Sequence, residues 1–398
     1  MPAMDRSELP DIPAEMAFGR DEYEMRLART RAEMRRIGLD VIVVHSLPDI
    51  CYLTGFQTPL SDWYSCLILP LEGAPVLQVC DHELAVMNTY VASLLPVAWE
   101  NMDAAVGELC SELLRMGAAR ARIGLQRRRP GLNPFTEEGL RRALPGAQWI
   151  DVTDLVLGIR AVKSAAEIAC LREAARLSTL GIEAALATVR AGATENDITA
   201  AAMQAIVAAG GEYFSIDPIV RVGRRSGITH ATAKRAVVHP GDAVLMEIGG
   251  VYQRYCAPLL RTAVVGTPPE ALRRLADTSL RAMDLLFENL RPGRTMGDVA
   301  SAAMKALADL DAAVRMRGYF GYAVGISFPP SWVERSAEIA EGRRDVLVPG
   351  MVFHLHRVLR IPGAMGTGFS ESVLITEGGY ELLTDNPRRL HIVDIEVE

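Results

Sequence analysis

Near residue 160 the patterning of this chain changes, and that change limits the folds open to it. Before it, short apolar runs alternate with helical stretches. Residues 21–38 carry apolar positions at helical spacing and stop at a glycine, and the following LDVIVVHS reads as a buried strand. Further strands are expected at 51–54, 65–70, 75–80, 122–125 and 148–151, and helices at 81–94, 103–117 and 136–143. Alternating strand and helix signals predict an α/β domain over residues 18–158, preceded by a Pro-rich, acidic arm at 1–17. After it, a long amphipathic helix runs over 164–190. Its entry, Ser164-Ala-Ala-Glu167, is a capping box in which the hydroxyl takes an orphan N–H and the carboxylate reaches back. Helices at 195–209, 268–290 and 296–309 then mix with strands at 214–222, 243–250, 256–265, 351–358 and 369–376. That order predicts an α+β second domain, with antiparallel hairpins, over 159–398.

Composition removes several function classes. A net charge of −7 and seven scattered histidines point to no nucleic-acid partner. The chain has no apolar run long enough to span a bilayer and no charged-then-apolar leader, so neither membrane nor export is expected. Six cysteines at 51, 66, 80, 110, 170 and 256 form no CxxC pair and read as reduced, buried thiols of a cytoplasmic protein.

A few polar side chains stand where chemistry is plausible. His230 lies in the small-residue loop RSGITHA, and an imidazole near its ordinary pKa both takes and gives a proton near neutrality. Glu247 sits in AVLMEIGG, a strand apolar on both faces; a buried carboxylate is costly unless it has a partner or a task. The structural alternative is an ion pair with an arginine such as Arg261. His354 and His356 alternate in MVFHLHRV, so on a strand both point to one face. The loop 52–66 places Tyr52, Phe56, Trp63 and Tyr64 around a turn, which is either core or an aromatic cage for a cationic ligand. ISFPPSWVE (326–334) is either a site wall or a rigid surface loop. One of Arg221, Arg224 and Arg225 is a candidate clamp for a substrate carboxylate, the others a solvated face.

The run EIGGVYQRYCAPLLRT (247–262) resembles the metal-binding hairpin of the creatinase/prolidase family, and RAVKSAAEIACLREAARLS resembles the helix that opens its catalytic half. The resemblance implies a creatinase-like N-terminal α/β domain and a pita-bread C-terminal domain. In the family's peptidases, five side chains hold two metal ions. Their places here fall to Glu247, Pro258, Tyr322, His356 and Glu371, so the resemblance points to the metal-free branch that includes creatinase and ectoine hydrolase. It implies no metal and no cofactor. His230 and Glu247 become the catalytic candidates. Glu371, His356, His354, Tyr322, Arg261, Phe56, Trp63 and Tyr64 become candidates for holding a small zwitterionic or cationic substrate. The expected reaction is hydrolysis of an amidine or guanidine C–N bond. The alternatives are a metallopeptidase or lyase with a reduced ligand set, and a non-catalytic binding protein. The family further implies a homodimer with loop 52–66 near the partner's site.

Overall fold

The computed structural model describes residues 4–5, 16–80, 93–97, 101–129 and 131–395, and its chain divides into two compact units, Met1–Arg160 and Ala161–Glu398. The first unit runs β1 (Met4–Asp5), α1 (Arg20–Ile37), β2 (Val41–Val44), α2 (Leu47–Thr54), β3 (Cys66–Pro70), β4 (Val76–Cys80) and β5 (Ser93–Val97). It continues with α3 (Met102–Arg115), β6 (Arg122–Leu125), α4 (Pro134–Ala143), β7 (Gln148–Asp151) and α5 (Leu155–Arg160). Its strands form one mixed sheet in the order β1-β5-β4-β3-β2-β6-β7. Val43, Ile68, Leu109, Leu113 and Leu140 pack α3 and α4 onto that sheet.

Residues 51–54, expected as a strand, belong to α2 instead. Pro48 at its start fixes a helical φ, Gly55 closes it in the left-handed region (φ 78°), and seven of its eight residues are buried. A segment of four residues has too little periodicity to separate helix from strand. The expected helix at 81–94 lies outside the described residues except at Ser93 and Leu94, which begin β5. Most of the expected N-terminal arm also lies outside them. All six cysteines are free and buried. No described helix is long and apolar enough to cross a membrane.

The second unit opens with α6 (Ala165–Thr188) and α7 (Glu195–Ala208), then β8 (Ile219–Val222), β9 (Ala243–Ile248), β10 (Val251–Tyr252), β11 (Tyr255–Cys256) and β12 (Leu259–Val265). It ends with α8 (Glu270–Asn289), α9 (Met296–Met304), β13 (Tyr319–Ala323), β14 (Glu334–Ala340), β15 (Val352–Ile361), β16 (Met365–Thr376), β17 (Gly379–Leu382) and β18 (His391–Val393). The capping box of α6 forms as its spacing requires: Glu167 N donates to Ser164 Oγ at 3.2 Å and Ser164 N to Glu167 Oε2 at 3.0 Å. A cap of this kind is worth ~1 kcal/mol. The strand expected at 256–265 breaks at Pro258, which has no N–H for a ladder.

Besides the two-stranded ribbon β10-β11, two larger sheets result, β18-β12-β9-β8 and β14-β13-β15-β16-β17. Alternation along each strand divides its side chains between two faces. On β9, Val244, Met246 and Ile248 enter the core shared with α6 and α7, which leaves Leu245 and Glu247 on the other face. On β15, Phe353, Leu355 and Leu359 enter the core beneath α8 and α9, which leaves His354, His356, Val358 and Arg360 opposite. Leu245 and Leu260 of the first sheet touch Val358 of the second, so the two polar faces look at each other.

Candidate active site

Between those faces lie two cavities. The outer one holds about 1110 Å³ and is walled by residues 214–219, 231–233 and 329–333. The inner one holds about 50 Å³ and is lined by His356, Val358 and Arg360 of β15 among others. His230, Glu247, Arg317, Tyr319 and Tyr322 line both and mark their junction. The ISFPPSWVE segment is therefore a wall of the site rather than a surface loop.

His230 is held in place by its flanking backbone. It adopts a left-handed conformation (φ 55°), uncommon for a side chain with a Cβ. The turn before it, Gly223–Gly227, packs against the β15–β16 hairpin, where Gly366 N donates to Ser226 Oγ at 2.8 Å. A Cβ on Gly366 would stand 2.3 Å from the Ser226 carbonyl, so only glycine permits the approach. Glu195, at the start of α7 and fully buried, accepts from Val222 N at 3.2 Å, Arg225 Nε at 2.8 Å and Lys234 N at 2.5 Å. One carboxylate thus ties both ends of the His230 loop. Glu195 belongs to no motif in the sequence. Arg254 ties the cavity's walls, donating to Tyr213 O at 2.8 Å and Ser327 O at 2.8 Å while stacking 3.7 Å from the Tyr213 ring centroid.

The charge pattern differs from the sequence expectation. Arg261, the suggested partner of Glu247, is not near it: register pairs Leu260, not Arg261, with Glu247. The neighbour is Arg221, whose Nη2 lies 3.9 Å from Glu247 Oε2, beyond hydrogen-bond range. Arg221 is fully buried and its Nε and Nη2 make no hydrogen bond among the described residues. Burial pushes the Glu247 carboxyl up, and Arg221 and Arg360 pull it back. Burial, then Arg317, Arg221 and Arg360, hold His230 below its ordinary value, so its imidazole is neutral at pH 7. His356 is driven well down by burial, by His354 and by Arg357, Arg360 and Arg317. Burial lowers Arg360 to about 10, which leaves it charged. Of the other two candidate clamps, Arg225 is bound to Glu195 and Arg224 donates to Gly363 O on the surface.

Among the described residues of the second unit, three candidates, Glu371, Arg261 and His354, line neither cavity. Glu371 is buried and accepts from Arg261 Nη2 at 2.8 Å and Thr384 Oγ1 at 2.6 Å, with Arg388 Nη1 at 3.7 Å. Arg261 is fully buried and also donates to Leu260 O, Ser370 O, Pro387 O and Asn386. The pair is structural: burial raises Glu371 and lowers Arg261, while each pulls the other toward the charged form. His354 faces the same way as His356, as alternation predicts, but lies beneath the site. Its Nδ1 meets Tyr322 Oη at 3.0 Å and its Nε2 meets Ser370 Oγ at 2.7 Å, with burial lowering its pKa to about 3. Tyr322 Oη also accepts from Trp332 Nε1 at 2.8 Å. His354 therefore positions Tyr322 rather than touching a ligand. Phe56 is 1% exposed and belongs to the core of the first unit. Tyr64 donates to Gln78 Oε1 at 2.9 Å, and Trp63 is half-buried. Arg317, Arg360 and Tyr319, which line the junction or the inner cavity, carried no motif.

A pair of divalent ions does not fit these residues. Pro258 offers only its carbonyl, already taken by Ser372 Oγ at 2.8 Å. Tyr322 and Glu371 are committed elsewhere. Glu247 and His356 remain, surrounded by guanidinium groups, where hard cations require several oxygen donors and negative charge. Among the described residues no group of three or more His, Cys, Asp or Glu side chains is placed to hold a metal ion.

Comparison with known proteins places the chain. Residues 26–162 match the creatinase/prolidase N-terminal domain, and residues 169–377 match metallopeptidase family M24. Ectoine hydrolase of Halomonas elongata is 28% identical over 96% of this chain and 100% of its own length. Xaa-Pro dipeptidase of Pyrococcus horikoshii is 25% identical over 90% of this chain and 96% of its own. The crystal structure of dipeptidase PepE from Mycobacterium ulcerans superposes with a TM-score of 0.80, at 27% identity, covering 95% of this chain and 100% of that one. The chain belongs to the creatinase/prolidase group of metallopeptidase family M24, with a creatinase N-terminal domain and a pita-bread C-terminal domain.

Proposed function

We propose that this chain is a metal-independent hydrolase of the amidine or guanidine C–N bond in a small zwitterionic compound, with ectoine as the leading substrate. The family relationship supports a hydrolase, and the relative named ectoine hydrolase supports a non-peptide C–N bond. The observation that carries the reading is the junction itself: one carboxylate, Glu247, and a neutral imidazole, His230, line it together, in the region that the family's peptidases use to bind metal. Peptide hydrolysis on this scaffold relies on a Lewis acid and a metal-activated water. An amidinium carbon is already electrophilic and needs neither.

The neutral His230 takes a proton from water, and the hydroxide adds to the amidinium carbon as the C=N π electrons move onto nitrogen. Glu247 holds the amidinium charge until that addition. His230 then returns its proton to one nitrogen, the C–N bond breaks, and the hydroxyl proton passes to the departing amine. Amidinium and water thus become an amide and an ammonium ion, with no oxidant or reductant. The outer cavity is open rather than filled with apolar side chains, which supports catalysis over a purely binding role.

His230→Asn and Glu247→Gln, assayed on ectoine by proton NMR, test the assignment. Each is expected to lower kcat/KM by ~10²-fold or more. Near-normal turnover in either variant removes that residue from the chemistry. Isotope from ¹⁸O-labelled water in the Glu247 side chain after turnover would make Glu247 the nucleophile in place of water.

A further inference from the structure

The inner cavity is not needed by the reaction just described, yet it is built of charged groups. Arg360 and Arg317 line it beside His356 and Tyr319, and Glu247 is its single carboxylate. Arg360 is 8% exposed, and its Nε makes no hydrogen bond among the described residues. A buried guanidinium N–H with no acceptor is costly, and the cost is removed when a ligand supplies one. At about 50 Å³ the chamber exceeds the ~10–15 Å³ that one water requires and falls far short of a ring.

We propose that the inner cavity is a carboxylate subsite, with Arg360 and Arg317 as its donors. Guanidinium pairs with carboxylate by charge-assisted, often bidentate, hydrogen bonds. Because Glu247 and His230 stand at the junction, a ligand anchored there by its carboxylate places its cationic carbon against them. The outer cavity takes the remainder. The substrate is accordingly an acid whose cationic C–N group lies a few bonds from its carboxylate, and compounds lacking the acid are poor substrates. The placement of the cation rests on the proposed function; the anion site itself does not.

Acetate serves as the probe. Titrated into the full-length protein at constant ionic strength against chloride, it is expected to raise Tm progressively in the wild type and not in Arg360→Met. Arg317→Met, at an exposed position, supplies a second variant should the first fold poorly, and Arg360→Lys is expected to retain part of the shift. With ectoine, Arg360→Met is expected to raise KM at least ~10-fold, and the decarboxylated ring, 2-methyl-tetrahydropyrimidine, to turn over at least as poorly. No acetate shift in the wild type, or equal shifts in both methionine variants, overturns the subsite. Equal turnover of ectoine and its decarboxylated ring also overturns it, while leaving the amidine reaction standing. An arginine-dependent acetate shift without ectoine turnover keeps the subsite and removes the amidine reading.

Discussion

Replacing Glu371 by alanine separates a structural carboxylate from a catalytic one. The substitution removes the acceptor of Arg261 Nη2 at 2.8 Å and of Thr384 Oγ1 at 2.6 Å, and both partners are buried. Stranding one member of a buried ion pair costs about 3–5 kcal/mol. Arg261 keeps its backbone acceptors at Leu260, Ser370 and Pro387, which places the cost near the lower figure, about 3 kcal/mol. For a unit the size of Ala161–Glu398, each kcal/mol moves Tm by about 2–4 °C, so a fall of about 6–12 °C is expected. Circular dichroism on heating measures it, and kcat/KM well below the transition reads the folded fraction's activity. A large fall in Tm is expected, with turnover of the folded protein nearly unchanged. An unchanged Tm together with lost turnover would refute it and return Glu371 to the site.

Three further outcomes follow from the same structure. The acid limb of kcat/KM belongs to His230; because its folded pKa is lowered, activity holds as pH falls through 6.5 and is lost only below it, while Arg317→Met moves the limb upward. A limb at or above 6.5 contradicts this. His354 sits near 3 when folded and 6.5 when unfolded, so between those values the unfolded chain binds the extra proton. Its contribution to stability is complete above pH 6.5 and drains as pH falls, by up to about 1.4 kcal/mol per unit; urea midpoints from pH 7 to 5 in wild type and His354→Gln measure the slope, which the variant should flatten. Tyr322→Phe leaves Trp332 Nε1 and His354 Nδ1 without their partner, for a loss of about 1–3 kcal/mol by urea unfolding. An unchanged urea midpoint in that variant would mean the Tyr322 hydroxyl supports neither group.

Much of the architecture was legible because it rests on local signals. The long helices announce themselves by apolar spacing, and the Ser164–Glu167 cap by its residue types. Glu247 stood out as a carboxylate in a strand otherwise apolar on both faces, and His356 through its alternation with His354 and the family resemblance. Strands β13 and β14 were not expected: YFGYA and ERSAEIA lack sustained alternation, and β13 pairs with β15 and β14 with β13 in registers no local pattern encodes. The same holds for charge. Arg221, Arg317 and Arg360 are far apart in sequence and meet around His230 only when β8, the segment before β13 and β15 are brought together. Conversely, Glu371 resembled a retained metal ligand because its local context matched, while the partner that engages it, Arg261, lies 110 residues away.

Proton NMR of chelator-treated protein with ectoine, beside creatine and Gly-Pro as parallel samples, decides between metal-free amidine hydrolysis and metal-dependent peptide cleavage. The ectoine ring is expected to open without added metal, at a rate that restored Mn²⁺, Co²⁺ or Zn²⁺ does not raise. Cleavage of Gly-Pro alone, and only after metal is returned, would contradict this and make this chain a metallopeptidase.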